Sequence, residues 1–177
     1  HASDCGKTTT GENKSAGSCE AGFGGDAIES CVACVQGKYK STTSNTDCTE
    51  CDAHALDCGK TTTGENKSAG NCTAGFGGDA NTNACSPCVK GKYKIKVGNT
   101  DCTECDIWSS DCGMGIDGSN LSAGSCKAGY SGDAFLGTCQ LCSAGKYKIS
   151  NGNWGCSSCD AFASNCGQNT ISGKTSA

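Results

Sequence analysis

Large apolar side chains are scarce in this sequence. Leu, Ile, Val and Phe together number 18 of 177 residues, alongside 2 Trp, 1 Met and 1 Pro. A chain so poor in hydrocarbon cannot bury an ordinary core, so it is either disordered or held by covalent crosslinks. Arginine is absent and the net charge is −4. This argues against nucleic-acid binding, which needs a basic footprint with Arg among its readers. Only His1 and His54 represent histidine. With no Ser-His-Asp order, no phosphate loop and no Glu-rich metal set, the chain reads as a non-enzyme with no cofactor and no catalytic residue. It shows no initiator Met, signal peptide or transmembrane run, so any membrane attachment is expected outside this window.

What the sequence has in abundance is cysteine, 19 residues of it. Cys5, Cys19, Cys31, Cys34, Cys48 and Cys51 recur as Cys58, Cys72, Cys85, Cys88, Cys102 and Cys105. They recur again as Cys112, Cys126, Cys139, Cys142, Cys156 and Cys159. The first cysteines of successive copies lie 53 and then 54 residues apart, and Cys166 opens a fourth copy. The expected organisation is therefore the tail of a preceding repeat at 1–4, repeats at 5–57, 58–111 and 112–165, and the start of a fourth at 166–177. The chain reads as a window onto a longer array. Self-similarity at such a period marks repeat architectures, and this density of Cys marks a disulfide scaffold. Bridges offset the missing core by shrinking the unfolded ensemble, each by about 2–5 kcal/mol in small secreted domains. They persist in oxidising surroundings, which points to an extracellular or cell-surface protein.

Each repeat opens with a polar loop, CGKTTTGENKSAG at 5–17, copied letter for letter at 58–70. A Gly-rich turn follows: CEAGFGGDA, CTAGFGGDA and CKAGYSGDA. Glycine supplies positive φ there, and Phe23, Phe76 or Tyr130 is the large group available to cover a bridge. Next comes C-x2-C with Gly-Lys-Tyr-Lys, in which KYKIKV at 92–97 alternates as a strand with Lys outward and Tyr93, Ile95 and Val97 to one side. The last part is a spacer of six residues between paired cysteines, where Asp52, Asp106 and Asp160 are placed to N-cap a single helical turn. The fold class expected is small and disulfide-rich: tandem six-cysteine repeats in an elongated rod, with short β-strands, loops and little helix.

The pattern C-x2-C-x13-C-x2-C at 31–51 approaches a zinc-ribbon spacing. The short interval, the two further cysteines in each repeat and the secreted character favour disulfides instead. Six cysteines allow many pairings in principle. The C-x-x-G-x-Y and C-x2-C run resembles the cysteine-rich repeats of tumour-necrosis-factor receptors and the related ephrin-receptor-like repeats. Arrays of this kind occur in ciliate and other protist surface antigens, and the C-x-x-G-F-x-G-D piece is similar to the end of an epidermal-growth-factor module. The resemblance to the receptors implies pairing of Cys34 with Cys48, Cys88 with Cys102 and Cys142 with Cys156. It also implies Cys51 with Cys72 and Cys58 with Cys85, tying one repeat to the next, although the gap from Cys51 to Cys58 is longer here than the family's. A sequential scheme competes: Cys19 with Cys31, Cys34 with Cys48, Cys51 with Cys58. Because 19 is odd, one cysteine is free or bonded beyond the window.

Asn13, Asn66 and Asn120 each open an N-x-S sequon at the same phase of the repeat, and each is a candidate for N-glycosylation. Asn71-Cys72-Thr73 is a weaker sequon, and the threonine runs at 8–10 and 61–63 are candidates for O-linked sugar or plain solvated loop. The Lys-Tyr-Lys triads read as exposed strand positions that blunt an edge rather than as a stripe for an anionic partner. Asp26, Asp79 and Asp133 read as turn residues, since one carboxylate is far from the oxygen set Ca²⁺ requires. The functional expectation is a structural array, a coat, stalk or self-assembling glycoprotein fibril. Its partners would be neighbouring repeats and copies of itself. A ligand-binding, receptor-like ectodomain is the alternative.

Overall fold

A computed structural model describes residues 2–3, 17–60, 66–115, 117–168 and 175. Among them, eighteen short strands pair into nine separate two-stranded sheets, with two 3-10 turns and no α-helix. The fold is small, disulfide-rich and built of repeated units. Three kinds of hairpin recur in order.

The first kind joins the end of one repeat to the beginning of the next. Ala55–Leu56 pairs antiparallel with Asn71–Cys72, and Ser109–Ser110 with Ser125–Cys126. Ala2–Ser3 does the same with Ser18–Cys19. The six-residue spacer is thus a strand of the following unit, and the N-capped helical turn expected there does not form. Asp52 and Asp106 instead accept from the backbone N–H two residues on, those of His54 and Trp108, in an Asx turn that starts the strand. Asp160 accepts likewise from Phe162 N–H.

The second kind is the Gly-rich turn. In the first repeat Phe23–Asp26 pairs with Ser30–Ala33 over four residues. The later copies carry one more residue between their cysteines, a separation of 13 instead of 12. The extra residue is absorbed by a 3-10 turn, Ala80–Thr82 or Ala134–Leu136, capped by Asp79 or Asp133. Each turn is closed by a left-handed residue, Asn83 or Gly137, and the flanking strands shorten to two residues. The third kind holds the Lys-Tyr pair: Lys38–Tyr39 with Thr49–Glu50, Lys92–Tyr93 with Thr103–Glu104, and Lys146–Tyr147 with Ser157–Ser158.

Eighteen cysteines form nine bridges, in the sequential order. Cys34 pairs with Cys48, Cys88 with Cys102 and Cys142 with Cys156. Cys19 pairs with Cys31, Cys72 with Cys85 and Cys126 with Cys139. The receptor-type links Cys51–Cys72 and Cys58–Cys85 are not made. Cys51 closes on Cys58, Cys105 on Cys112 and Cys159 on Cys166. The physical reason lies in the spacer, which turns back as a hairpin strand and returns its two flanking cysteines to each other. Cys166 is therefore not stranded, and Cys5 lies outside the described residues. The zinc-ribbon reading gives way as well, because Cys31, Cys34, Cys48 and Cys51 enter three different bridges.

The largest fully buried side chains are cysteines: Cys19, Cys34, Cys72, Cys88 and Cys126. Two compact units divide the contacts. One comprises His1–Thr73, Gly77–Ser86 and Val97–Thr100; the other comprises Ala74–Phe76, Pro87–Lys96 and Asp101–Ala177. In the second, Tyr93, Ala123, Tyr130 and Ala134 pack with Cys112, Cys126 and Cys139 into one small cluster. The unit boundary runs through the middle of the second repeat, so each unit contains a complete repeat junction.

Candidate functional site

The junction is where the sequence invests its polar side chains. Two anchors first hold each repeat in shape. Asn45 Oδ1 accepts from the N–H groups of Cys19 and Ala27 at 3.1 and 3.2 Å, while its Nδ2 donates to Gly17 O. Asn99 serves Cys72, Ala80 and Gly70 in the same way, and Asn153 serves Cys126, Ala134 and Gly124. One amide thus fastens the bridged cysteine of the first hairpin to the turn of the second.

The second anchor is the lysine after the tyrosine, and it departs from the sequence expectation. Lys40, Lys94 and Lys148 are 4%, 5% and 3% exposed. Lys148 Nζ donates to the carbonyls of Cys126, Tyr130 and Gly152; Lys40 Nζ donates to those of Cys19, Phe23 and Ser44. Lys94 Nζ donates to Phe76 O at 2.7 Å. Burial pushes all three ammonium groups below the usual lysine value, opposed by Asp47 at Lys40 and Asp101 at Lys94. A buried ammonium is tolerated because it meets backbone oxygens that would otherwise be orphaned. The expected alternation over 92–97 fails for a related reason. The strand ends at Tyr93, after which the chain turns Lys94 inward and leaves Ile95 and Val97 exposed. Lys38, Lys92 and Lys146 are the surface strand residues, the first two each 3.5 Å from a cross-strand glutamate, Glu50 or Glu104.

Four contacts then fasten one repeat to the next within each compact unit. The bridge Cys51–Cys58 spans the first junction and Cys105–Cys112 the second. Gly59 O accepts from Gly37 N–H at 2.9 Å, and Gly113 O from Gly91 N–H at the same distance. Gly59 has φ of 57°, and a Cβ there would come within 2.7 Å of Lys38 N and 2.9 Å of Cys51 Sγ, so only glycine lets the strands meet. Asp52 reaches forward with its second oxygen to Cys85 N–H at 2.9 Å, as Asp106 does to Cys139 N–H at 3.1 Å. Tyr39 and Tyr93 point their hydroxyls at Asn81 O and Phe135 O, 42 residues along the chain.

Asn66 and Asn120 complete the joint. Asn66 is 4% exposed and Asn120 3%. Asn66 Nδ2 donates to Cys34 O at 3.0 Å and Val35 O at 3.3 Å, while the backbone carbonyl of Asn66 accepts from Lys40 N–H at 2.9 Å. Asn120 Nδ2 donates to Cys88 O at 2.8 Å and Gly115 O at 2.7 Å, and the backbone carbonyl of Asn120 accepts from Lys94 N–H at 2.9 Å. Each asparagine is a dowel, seated in the repeat before its own. Nδ2 is the atom a glycan expected on Asn66 and Asn120 would occupy, and in both residues it donates to backbone carbonyls. Asn13 lies outside the described residues, and Asn71 is exposed.

Asp26, Asp79 and Asp133 cap their own turns through the N–H groups of Ile28, Asn81 and Phe135. Among the described residues no cluster of His, Cys, Asp and Glu is grouped to hold a metal, and no helix is long and apolar enough to cross a membrane. Sequence reasoning missed the buried lysines, the Asn45 set and the dowels. Their fixed phase in every copy was the available signal. No protein-family model matches the chain, and no curated protein shows detectable similarity to it. The disulfide-rich, repeat-built fold is of the extracellular type and fits a structural or surface role.

Proposed function

We propose that this chain is a stretch of an extracellular structural array, a surface coat, stalk or self-assembling fibril, with neighbouring repeats and copies of itself as partners and no catalytic role. The observation that carries this reading is the repeated joint. Disulfide, glycine approach, aspartate and asparagine dowel recur in the same order at the junctions that follow the first and second repeats, so each of these copies is fastened to the next by a fixed set of contacts. Buried polar side chains support it as well. All of those described have a hydrogen-bond partner, and the repeated sets above are spent on the backbone rather than turned toward a ligand. Affinity to tumour-necrosis-factor-receptor-like or ephrin-receptor-like repeats, as in protist surface antigens, belongs to the same proposal. The Cys51–Cys58 type of bridge is its point of difference from the receptors.

The test compares the oxidised protein with one reduced and alkylated, by thermal melting and electron microscopy. The oxidised sample is expected to melt far higher and to give uniform particles or filaments. Equal melting and identical particles after reduction would overturn the scaffold reading. A receptor-like role is the second reading, favoured by one feature: an open pocket of about 350 Å³ in the first repeat, lined by Gly24, Val32, Val35, Lys38 and Asp47. Its size is at the low end for ligand sites.

A further inference from the structure

The in-phase N-x-S sequence has a structural explanation for both of its fixed letters. The asparagine is the dowel described above. The serine makes the turn behind it, with Ser68 Oγ accepting from Gly70 N–H and Ser122 Oγ from Gly124 N–H, both at 3.0 Å. A sugar on Nδ2 of Asn66 would remove one of the two donor hydrogens and require a bulky group where the side chain is 4% exposed. The carbonyls of Cys34 and Val35 would lose their partner and the dowel could not seat. Phase-keeping is therefore a property of the joint, and it carries no message about glycosylation.

Asn71-Cys72-Thr73 behaves differently. Asn71 stands in the strand Asn71–Cys72, paired with Leu56 across the junction hairpin. Successive strand residues face opposite ways, so buried Cys72 leaves Asn71 directed outward, where it is exposed. The corresponding positions of the other copies are Ser18 and Ser125, which cannot take an N-glycan.

We propose that, of the sequons in the described residues, Asn71 is the N-glycan acceptor, while Asn66 and Asn120 are joint residues that stay bare in the folded protein. Among the described residues the chain then carries its sugar at one junction hairpin instead of once per repeat. This rests on the secreted reading above. The donor class is an oligosaccharide linked through diphosphate to a polyprenyl lipid. The bond from Asn71 Nδ2 to sugar C1 forms as the bond from C1 to the diphosphate oxygen breaks. The Nδ2 proton is lost to base and the lipid diphosphate leaves, with no change of oxidation state.

The experiment is secretion of the whole chain from a eukaryotic host, followed by enzymatic deglycosylation in ¹⁸O-water and peptide mapping. Labelled Asp at 71 with unlabelled Asn at 66 and 120 is the expected result. Label at 66 or 120 in protein with no more than one thiol per chain, or none at 71, would overturn the proposal. Thr73→Ala should lower the mass by one glycan, and the double variant Ser68→Ala/Ser122→Ala should leave it unchanged. The reverse pattern counts against Asn71. A thiol count on the same sample reads the scaffold separately: 19 cysteines leave one outside nine bridges, so at most one thiol per chain with a bare Asn71 sinks this inference alone, and three or more thiols sink the scaffold.

Discussion

The inside of a repeat and the joint between repeats are held by different means. Inside, Cys72–Cys85 and Cys126–Cys139 are buried bridges, wrapped by one amide and one ammonium that serve backbone groups. At the joint, Cys51 and Cys58 are only half-buried, and the work falls to Gly59, Asp52 and Asn66. Neither region relies on large aliphatic side chains, although the second joint adds a stack of Trp108 on Tyr130. The interior substitutes sulfur and a satisfied charge for a core. The joint substitutes close backbone approach and a docked amide for an apolar interface. Buried polar groups must be fully partnered to be stabilising, so both regions fail abruptly when a partner is removed.

The sharpest way to break the contrast is to delete bridges one class at a time. Removing Cys88–Cys102 by paired alanines should cost about 3 kcal/mol from loop entropy alone, and removing Cys105–Cys112 roughly 2.4 kcal/mol because its loop is shorter. Denaturant melts of the two variants would read the difference, and a larger loss at the joint would invert the ranking. Next comes Lys148→Met, which orphans three carbonyls and should cost about 2–3 kcal/mol, while the exposed Lys146→Met should stay within about 0.5 kcal/mol. Asn66→Ala should cost about 1–2 kcal/mol. Hydrogen exchange should rise at the Lys40 N–H, which is bonded to the backbone carbonyl of residue 66 and loosens as the unseated loop moves, while the N–H of Cys34, paired to Gly22 O within the repeat, stays protected. Smallest of all, Glu104→Ala removes an exposed pair with Lys92 and should shift stability by less than about 0.5 kcal/mol, an effect that added salt should erase.

Much of this was legible in the sequence, for a physical reason. Cysteine spacing encodes the repeat, its bridged character and its poverty of helix, because each pair must close a short loop. Cys34 with Cys48 was common to both pairing schemes. Whether Cys51 closed on Cys58 or on Cys72 was not legible, since that depends on the spacer folding back on Asn71–Cys72 in the next repeat. The burial of Lys40 was hidden by its position. Period-two reasoning places it beside Lys38, and the strand ends one residue too soon for that reasoning to apply. Asn66 was hidden by its own letters, because a sequon and a dowel with an Ser-Gly turn are spelled alike.

The forward reach of Asp52 has a consequence for biosynthesis. Its second oxygen waits for the amide of Cys85, 33 residues downstream, as Asp106 waits for Cys139. During translation each copy emerges with its trailing edge unfinished and is completed only when the following one has left the ribosome. Growth of the array therefore runs from amino to carboxyl end like a zip, the newest tooth always open.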